Sequence, residues 1–196
     1  MSNGKMYFSL VVVVILIYSS ISIFFIRASK NIVDTTCENA LVDYLHLSLN
    51  DVLRFDSEHN AKHIGRWFGW YSPESWGTWS NGGPSFLYLN VEKAEGSDVC
   101  LLINGLSALS KKHPRSRVKI TVNGSYVGKF TQTLENPSVN TYIRIPYSAI
   151  KTSSNGNLVI KLLSLDPSSP FSSGENPDTR ILGFGITSLQ LVHCGP

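Results

Sequence analysis

The chain has 196 residues, 42% hydrophobic and 16% charged, with three cysteines and a formal net charge of +3, enough for one domain with a real core plus a targeting segment. The charge excess is local: residues 1–30 hold Lys5, Arg27 and Lys30 and no acid, and the remaining 14 basic and 14 acidic residues cancel. A neutral domain gives no electrostatic reason to expect nucleic acid as a partner.

After a short tail, residues 1–6, the stretch YFSLVVVVILIYSSISIFFI from Tyr7 to Ile26 runs twenty residues without a charge. At about 1.5 Å rise per residue it makes a helix of roughly 30 Å, the hydrocarbon thickness of a bilayer. A cleavable leader has a shorter apolar region and small residues at the cut. Here the run ends in FFIRASK, with Arg27 where small neutral residues belong. The expectation is an uncleaved signal anchor over 7–26, with a cleaved leader as the alternative. A buried core helix is disfavoured, since a chain this small cannot cover a helix apolar all round. Lys5 before the span and Arg27 and Lys30 after it leave its orientation almost without bias.

Residues 27–40 are polar and read as a stalk, followed by a domain over 41–196. YLHLSL (44–49) and DVLRF (51–55) alternate as half-buried strands do. SFLYLNVEK, DVCLLINGLSAL, RVKITVNGSYVGKF, NTYIRIPYSAI, NLVIKLLSL and ILGFGITSLQLVHC follow, separated by Gly, Pro, Asn and Ser clusters. Short strands with turn punctuation and no helical period predict an all-β, jelly-roll-like sandwich. Asn123-Gly124 between two alternating strands predicts a type I′ hairpin. Asn123-Gly124-Ser125 is also a glycosylation sequon, without meaning in a bacterial host. DPSSPFSSGENPDTR (166–180) is the longest irregular stretch, and a loop this long is usually functional or mobile.

All three cysteines, Cys37, Cys100 and Cys194, follow the apolar run, and two of them bracket the domain. First and last strands of sandwiches are often neighbours, so in an oxidising compartment Cys37 pairs with Cys194 and Cys100 stays buried and reduced. The alternative is three unpaired thiols.

Nucleophilic chemistry has little support, because no G-x-S-x-G elbow is present. His59 and His63 have the i, i+4 spacing of a helical metal pair, but their surroundings read as a loop. Glu74 with Asp166, Glu175 or Asp178 offers paired carboxylates for glycoside hydrolysis, and the same acids leave a calcium site open.

The aromatic cluster differs in kind. GWYSPESWGTWSNGG (69–83) holds three of the four tryptophans, and with Trp67 and Tyr71 it packs rings between glycines too densely for simple strand alternation. Indole faces beside hydrogen-bonding groups suit sugar rings. Equally, the rings suit the capping of one end of the core.

The run from Leu47 to Val91, with G-W-Y-S-P-E-S-W-G-T-W-S at its centre, resembles a β-sandwich module of bacterial cell-envelope proteins that accompanies membrane glycosyltransferases and phosphoglycerol transferases. VNGSYVG (122–128), RIPYSAI (144–150) and DTRILGFGITSLQL (178–191) match its later motifs in order. The resemblance implies a periplasm-facing, inner-membrane protein that binds envelope glycan or assists a glycan-modifying membrane enzyme. Any catalysis would come from that partner, since this chain has no transferase or hydrolase domain. Carried onto this chain, the motif positions are Trp70, Ser72, Glu74, Trp76 and Trp79 from the first segment and Asp178 and Arg180 from the last. Trp70, Trp76 and Trp79 would stack or pack. Glu74, Asp178 and Arg180 would direct hydroxyls or hold the two loops together.

Overall fold

The computed structural model describes residues 44–64, 66–91, 96–152 and 156–194. The expected anchor, the stalk and Cys37 lie outside them, and among the described residues no helix is long and apolar enough to cross a membrane. The strands are β1 (Leu45–Leu47), β2 (Val52–Arg54), β3 (Thr78–Trp79), β4 (Pro84–Val91), β5 (Val99–Ser107), β6 (Arg115–Val122), β7 (Ser125–Thr133), β8 (Ser138–Ile145), β9 (Asn157–Ser164) and β10 (Phe184–His193). Three single-turn helices, α1 (Ala61–Ile64), α2 (Tyr147–Ile150) and α3 (Pro170–Ser173), complete the described elements.

Two sheets form the sandwich expected from the alternation. One runs β1-β4-β9-β6-β7; the other runs β2-β10-β5-β8, with β3 added against β10. β1 joins β4 in parallel, and the other strand pairs are antiparallel. Along β4, β5, β6 and β9, every second residue is buried. Period-two burial sends Leu87, Leu101, Ile103, Ile120 and Ile160 into one continuous core while their neighbours face outward.

Turn chemistry sets the register. Asn123 (φ 46) and Gly124 (φ 80) both take the positive φ of the predicted I′ turn between β6 and β7. The Asn123 amide is engaged as well, donating to the carbonyls of Ala149 (3.0 Å) and Asn157 (3.3 Å), while its oxygen accepts the Val159 N–H at 2.8 Å. In the folded domain the sequon amide is therefore fully engaged. NTYIRIPYSAI is shorter as a strand than its sequence suggests: β8 ends at Ile145, and Pro146, which cannot donate to a ladder, precedes α2.

β10 carries a bulge. Its register against β5 slips between Ile186 and Ser188, so the inward positions jump from Ile186 to Leu189. The Thr187 carbonyl accepts the Phe55 N–H at 3.0 Å there.

The disulfide differs from the expectation. Cys194 is bonded to Cys100, with the Cα atoms 5.0 Å apart, and so is not available to Cys37. Alternation explains the change: Val99 and Leu101 point into the core, which turns Cys100 outward, and its register partner Val192 brings Cys194 beside it. β10 does lie beside an early strand, β2, as sandwich topology suggested, but its cysteine meets the strand on its other flank.

Candidate functional site

The segment 69–83 folds as a small hairpin laid along β10. Gly69, at φ +91, turns the chain where a Cβ would strike the backbone of Ser85, and its carbonyl accepts the Ser85 hydroxyl at 2.6 Å and the Asn81 N–H at 2.9 Å. Glu74 N–H bonds to the Gly77 carbonyl at 2.7 Å, closing the tip, and Tyr71 N–H bonds to the Trp79 carbonyl at 2.9 Å. Ser80 fastens the hairpin to the sheet, donating its N–H to the Phe184 carbonyl and accepting the Phe184 N–H on its hydroxyl, both at 2.8 Å.

This arrangement divides the tryptophans. Trp67 and Trp70 turn to the core and tilt against Phe55, at 6.4 and 6.0 Å between ring centroids. Trp70 donates its indole N–H to the Phe86 carbonyl at 2.8 Å. Trp76 and Trp79 go to the other side of β10, edge to face at 5.1 Å, seated on Gly185. A Cβ at Gly185 would lie 2.8 Å from Trp79 and 2.9 Å from Trp76, so the missing side chain is what admits the rings. Trp79 is only 9% exposed, though it stands apart from the continuous core. Trp76 is half-buried and donates its N–H to Glu74 Oε2 at 2.8 Å.

Glu74 connects the hairpin to the 166–180 loop. Its Oε1 accepts from Arg180 Nη1 at 3.0 Å, while Arg180 Nε and Nη2 both reach Asp178 Oδ2, at 3.0 and 2.8 Å. The Arg180 backbone N–H also donates to Asp178 Oδ1, at 2.9 Å. The guanidinium lies 5.2 Å over the Tyr71 ring, whose hydroxyl donates to the Ile181 carbonyl. Bonds from Arg180 hold the Asp178 carboxyl below the usual range, and Asp178, then Glu74, push Arg180 further up. The cluster is partly open, with the Arg180 and Glu74 side chains each 37% exposed. Arg180 retains a further N–H on each terminal nitrogen.

Five of the seven expected residues, Glu74, Trp76, Trp79, Asp178 and Arg180, thus come together, whereas Trp70 packs against the core and Ser72 is exposed and takes no part in the clamp. Sequence reasoning passed over two contributors: Tyr71, counted only as one more ring, and Gly185, the seat of the indoles. The break in alternation at GFGIT was the available signal for Gly185.

Other expectations fare differently. A depressed Asp178 is the reverse of what a general acid needs. Of the four acids named for calcium, Glu74 and Asp178 face a guanidinium and Asp166 pairs with Arg117 at 2.7 and 2.8 Å. Among the described residues no three metal-ligating side chains come together. His63 lies on α1, but His59 precedes that turn and bonds to Asp56 at 2.7 Å, so the two imidazoles do not share a helix face.

No protein-family model matches the chain, and no curated protein does. Among solved structures, it is similar to a β-glucosidase from Paenibacillus barengoltzii (13% identity, TM-score 0.39), over 80% of this chain and 12% of that one. A family 35 carbohydrate-binding module from Clostridium thermocellum is 12% identical at a TM-score of 0.43, over 74% of this chain and 99% of the module. A CBM36 module, in complex with calcium and xylotriose, is 14% identical at 0.38, over 72% of this chain and 98% of that one. Likeness at this level carries no statement of what this chain binds.

Proposed function

We propose that the sandwich is a glycan-binding module, tethered by residues 7–26 to the inner membrane of a bacterium, facing the periplasm and accessory to a glycan-modifying membrane enzyme. The observation that carries the binding role is the partly open clamp: a guanidinium laid on the Tyr71 face and held by two carboxylates beside Trp76. Sugars present apolar C–H faces ringed by hydroxyls, and fixed charged donors and acceptors next to aromatic rings match both. The tether rests on the uncharged run of the sequence, and the envelope setting on the resemblance of its motifs. Calorimetric titration of the full chain, kept in a non-ionic detergent, against glycans released from bacterial envelopes tests the reading. Heat that disappears in Arg180→Met is expected; flat titrations throughout would refute it.

A second reading has its own support. Trp79 is nearly buried, and the indole N–H groups of Trp70 and Trp76 are taken by Phe86 and Glu74, which favours closure of the fold by an interaction subunit without a ligand. Under that reading, variants at Arg180 lose stability and have no binding to lose.

A further inference from the structure

The zero net charge of the domain conceals an uneven distribution. The five strands β1, β4, β9, β6 and β7 contain five cations, Arg115, Arg117, Lys119, Lys129 and Lys161, and no aspartate or glutamate. All five occupy outward positions, because Ser116, Val118, Ile120, Phe130, Ile160 and Leu162 take the inward ones. Among the described residues Arg117 pairs with Asp166, whose charge Arg115 also feels, and no ion pair engages Lys119, Lys129 or Lys161. Lys119 and Lys129 are direct register partners on adjacent strands. Like charges placed opposite one another destabilise a sheet, and an anion between them would remove that cost.

The face also has order across the strands. Phe86 is in register with Lys161, Lys161 with Thr121, and Thr121 with Tyr126. This row runs ring, cation, hydroxyl, ring, and at about 4.8 Å per strand it extends roughly 14 Å. Lys161 Nζ sits 5.9 Å over the Phe86 ring and Lys119 Nζ 5.4 Å over Tyr126, so each ring carries a cation on its face. Phe68, 64% exposed, stands at the end of the row with its ring 6.0 Å from Phe86.

We propose that the outer face of this sheet is a second binding surface, for an acidic glycan whose anionic groups lie on Lys119, Lys129 and Lys161 and whose C–H faces lie on Phe86 and Tyr126. A membrane surface fits less well. Phe68 and Tyr126 do project, at 64% and 56% exposed, but at opposite ends of a row whose middle is Lys161 and Thr121. Lipid therefore meets no continuous apolar face, only separate rings, of which Phe86 and Tyr126 are each paired with a lysine. A flat sugar with an acid group can use both members of such a pair. The surface belongs to the opposite sheet from the Arg180 clamp and does not depend on it.

The test measures binding of the full chain, in a non-ionic detergent, to polygalacturonate and phosphorylated dextran as acidic glycans and to plain dextran as the neutral control. Neutral phosphatidylcholine vesicles and vesicles containing phosphatidylglycerol form the lipid arm. Lys119→Glu is the decisive variant, because it turns the facing pair into opposite charges and so leaves the fold as stable or more stable. At least one acidic glycan is expected to bind, more weakly in high salt, with a loss of about tenfold in Lys119→Glu at an undiminished melting temperature. Equal binding of plain dextran would overturn the acidic specificity while leaving the clamp reading intact. Binding only to the anionic vesicles, no binding to any probe, or full affinity in Lys119→Glu would each overturn the proposal.

Discussion

Trp79→Ala is the substitution that weighs a packed hairpin against an open stacking platform. The ring is 9% exposed, on Gly185 and against the Trp76 edge. A tryptophan side chain buries about 150–250 Å², which at about 25 cal/mol per Å² is roughly 4–6 kcal/mol. Truncations of large aromatic residues cost about 3–5 kcal/mol, since part of the space collapses. In a domain of this size each kcal/mol lowers the melting temperature by about 2–4 °C, so Trp79→Ala falls by roughly 6–20 °C. Trp76→Ala, removing a half-buried ring, costs about half as much. Thermal unfolding of the full chain in a non-ionic detergent, followed by far-UV circular dichroism, measures the shifts. Near-UV spectra report loss of the edge-to-face pair. If Trp79→Ala melted within about 2 °C of the parent, the packing argument for this hairpin would be refuted.

Gly185→Ala puts a methyl group within 3 Å of both rings and is expected to cost about 1–3 kcal/mol and to shift tryptophan fluorescence; an unchanged emission maximum would contradict the seating. Asp178 and Asp166 are held below their ordinary range by Arg180 and Arg117, so the stability they contribute is present above the unfolded value of about 3.9 and is lost as pH falls through the folded value. Arg180→Met is therefore less stable at neutral pH, and denaturant titrations should show that difference shrinking below about pH 4; a constant difference would sink the clamp as the cause. Peptide mapping without reduction is expected to recover Cys100 linked to Cys194, and Cys100→Ser to cost about 2–5 kcal/mol in denaturant titrations. A peptide linking Cys37 to Cys194 would refute the assignment.

The pattern of residues determined the architecture because strand formation depends on near neighbours. Alternation in SFLYLNV, RVKITV and NLVIKLL carries its own burial, and Asn123-Gly124 carries its own turn. The attachment of Glu74 to Arg180, 106 positions apart, was one of the two roles that the motif resemblance implied for these residues, the other being to direct hydroxyls. What the sequence left open depended on which neighbour a side chain meets across space. Tryptophan density does not reveal that β10 runs through the middle of the cluster, sending Trp67 and Trp70 to the core and leaving Gly185 as the seat for Trp76 and Trp79. The disulfide went to Cys100 because pairing depends on Cα separation and on which way a strand turns its side chains, neither of which chain position supplies. Likewise a neutral total charge hid a basic sheet face, since a sum over residues holds no information on where strands β6, β7 and β9 place their lysines. Composition and period are local properties and survive in one dimension. Partnership across the sandwich is decided by the tertiary fold.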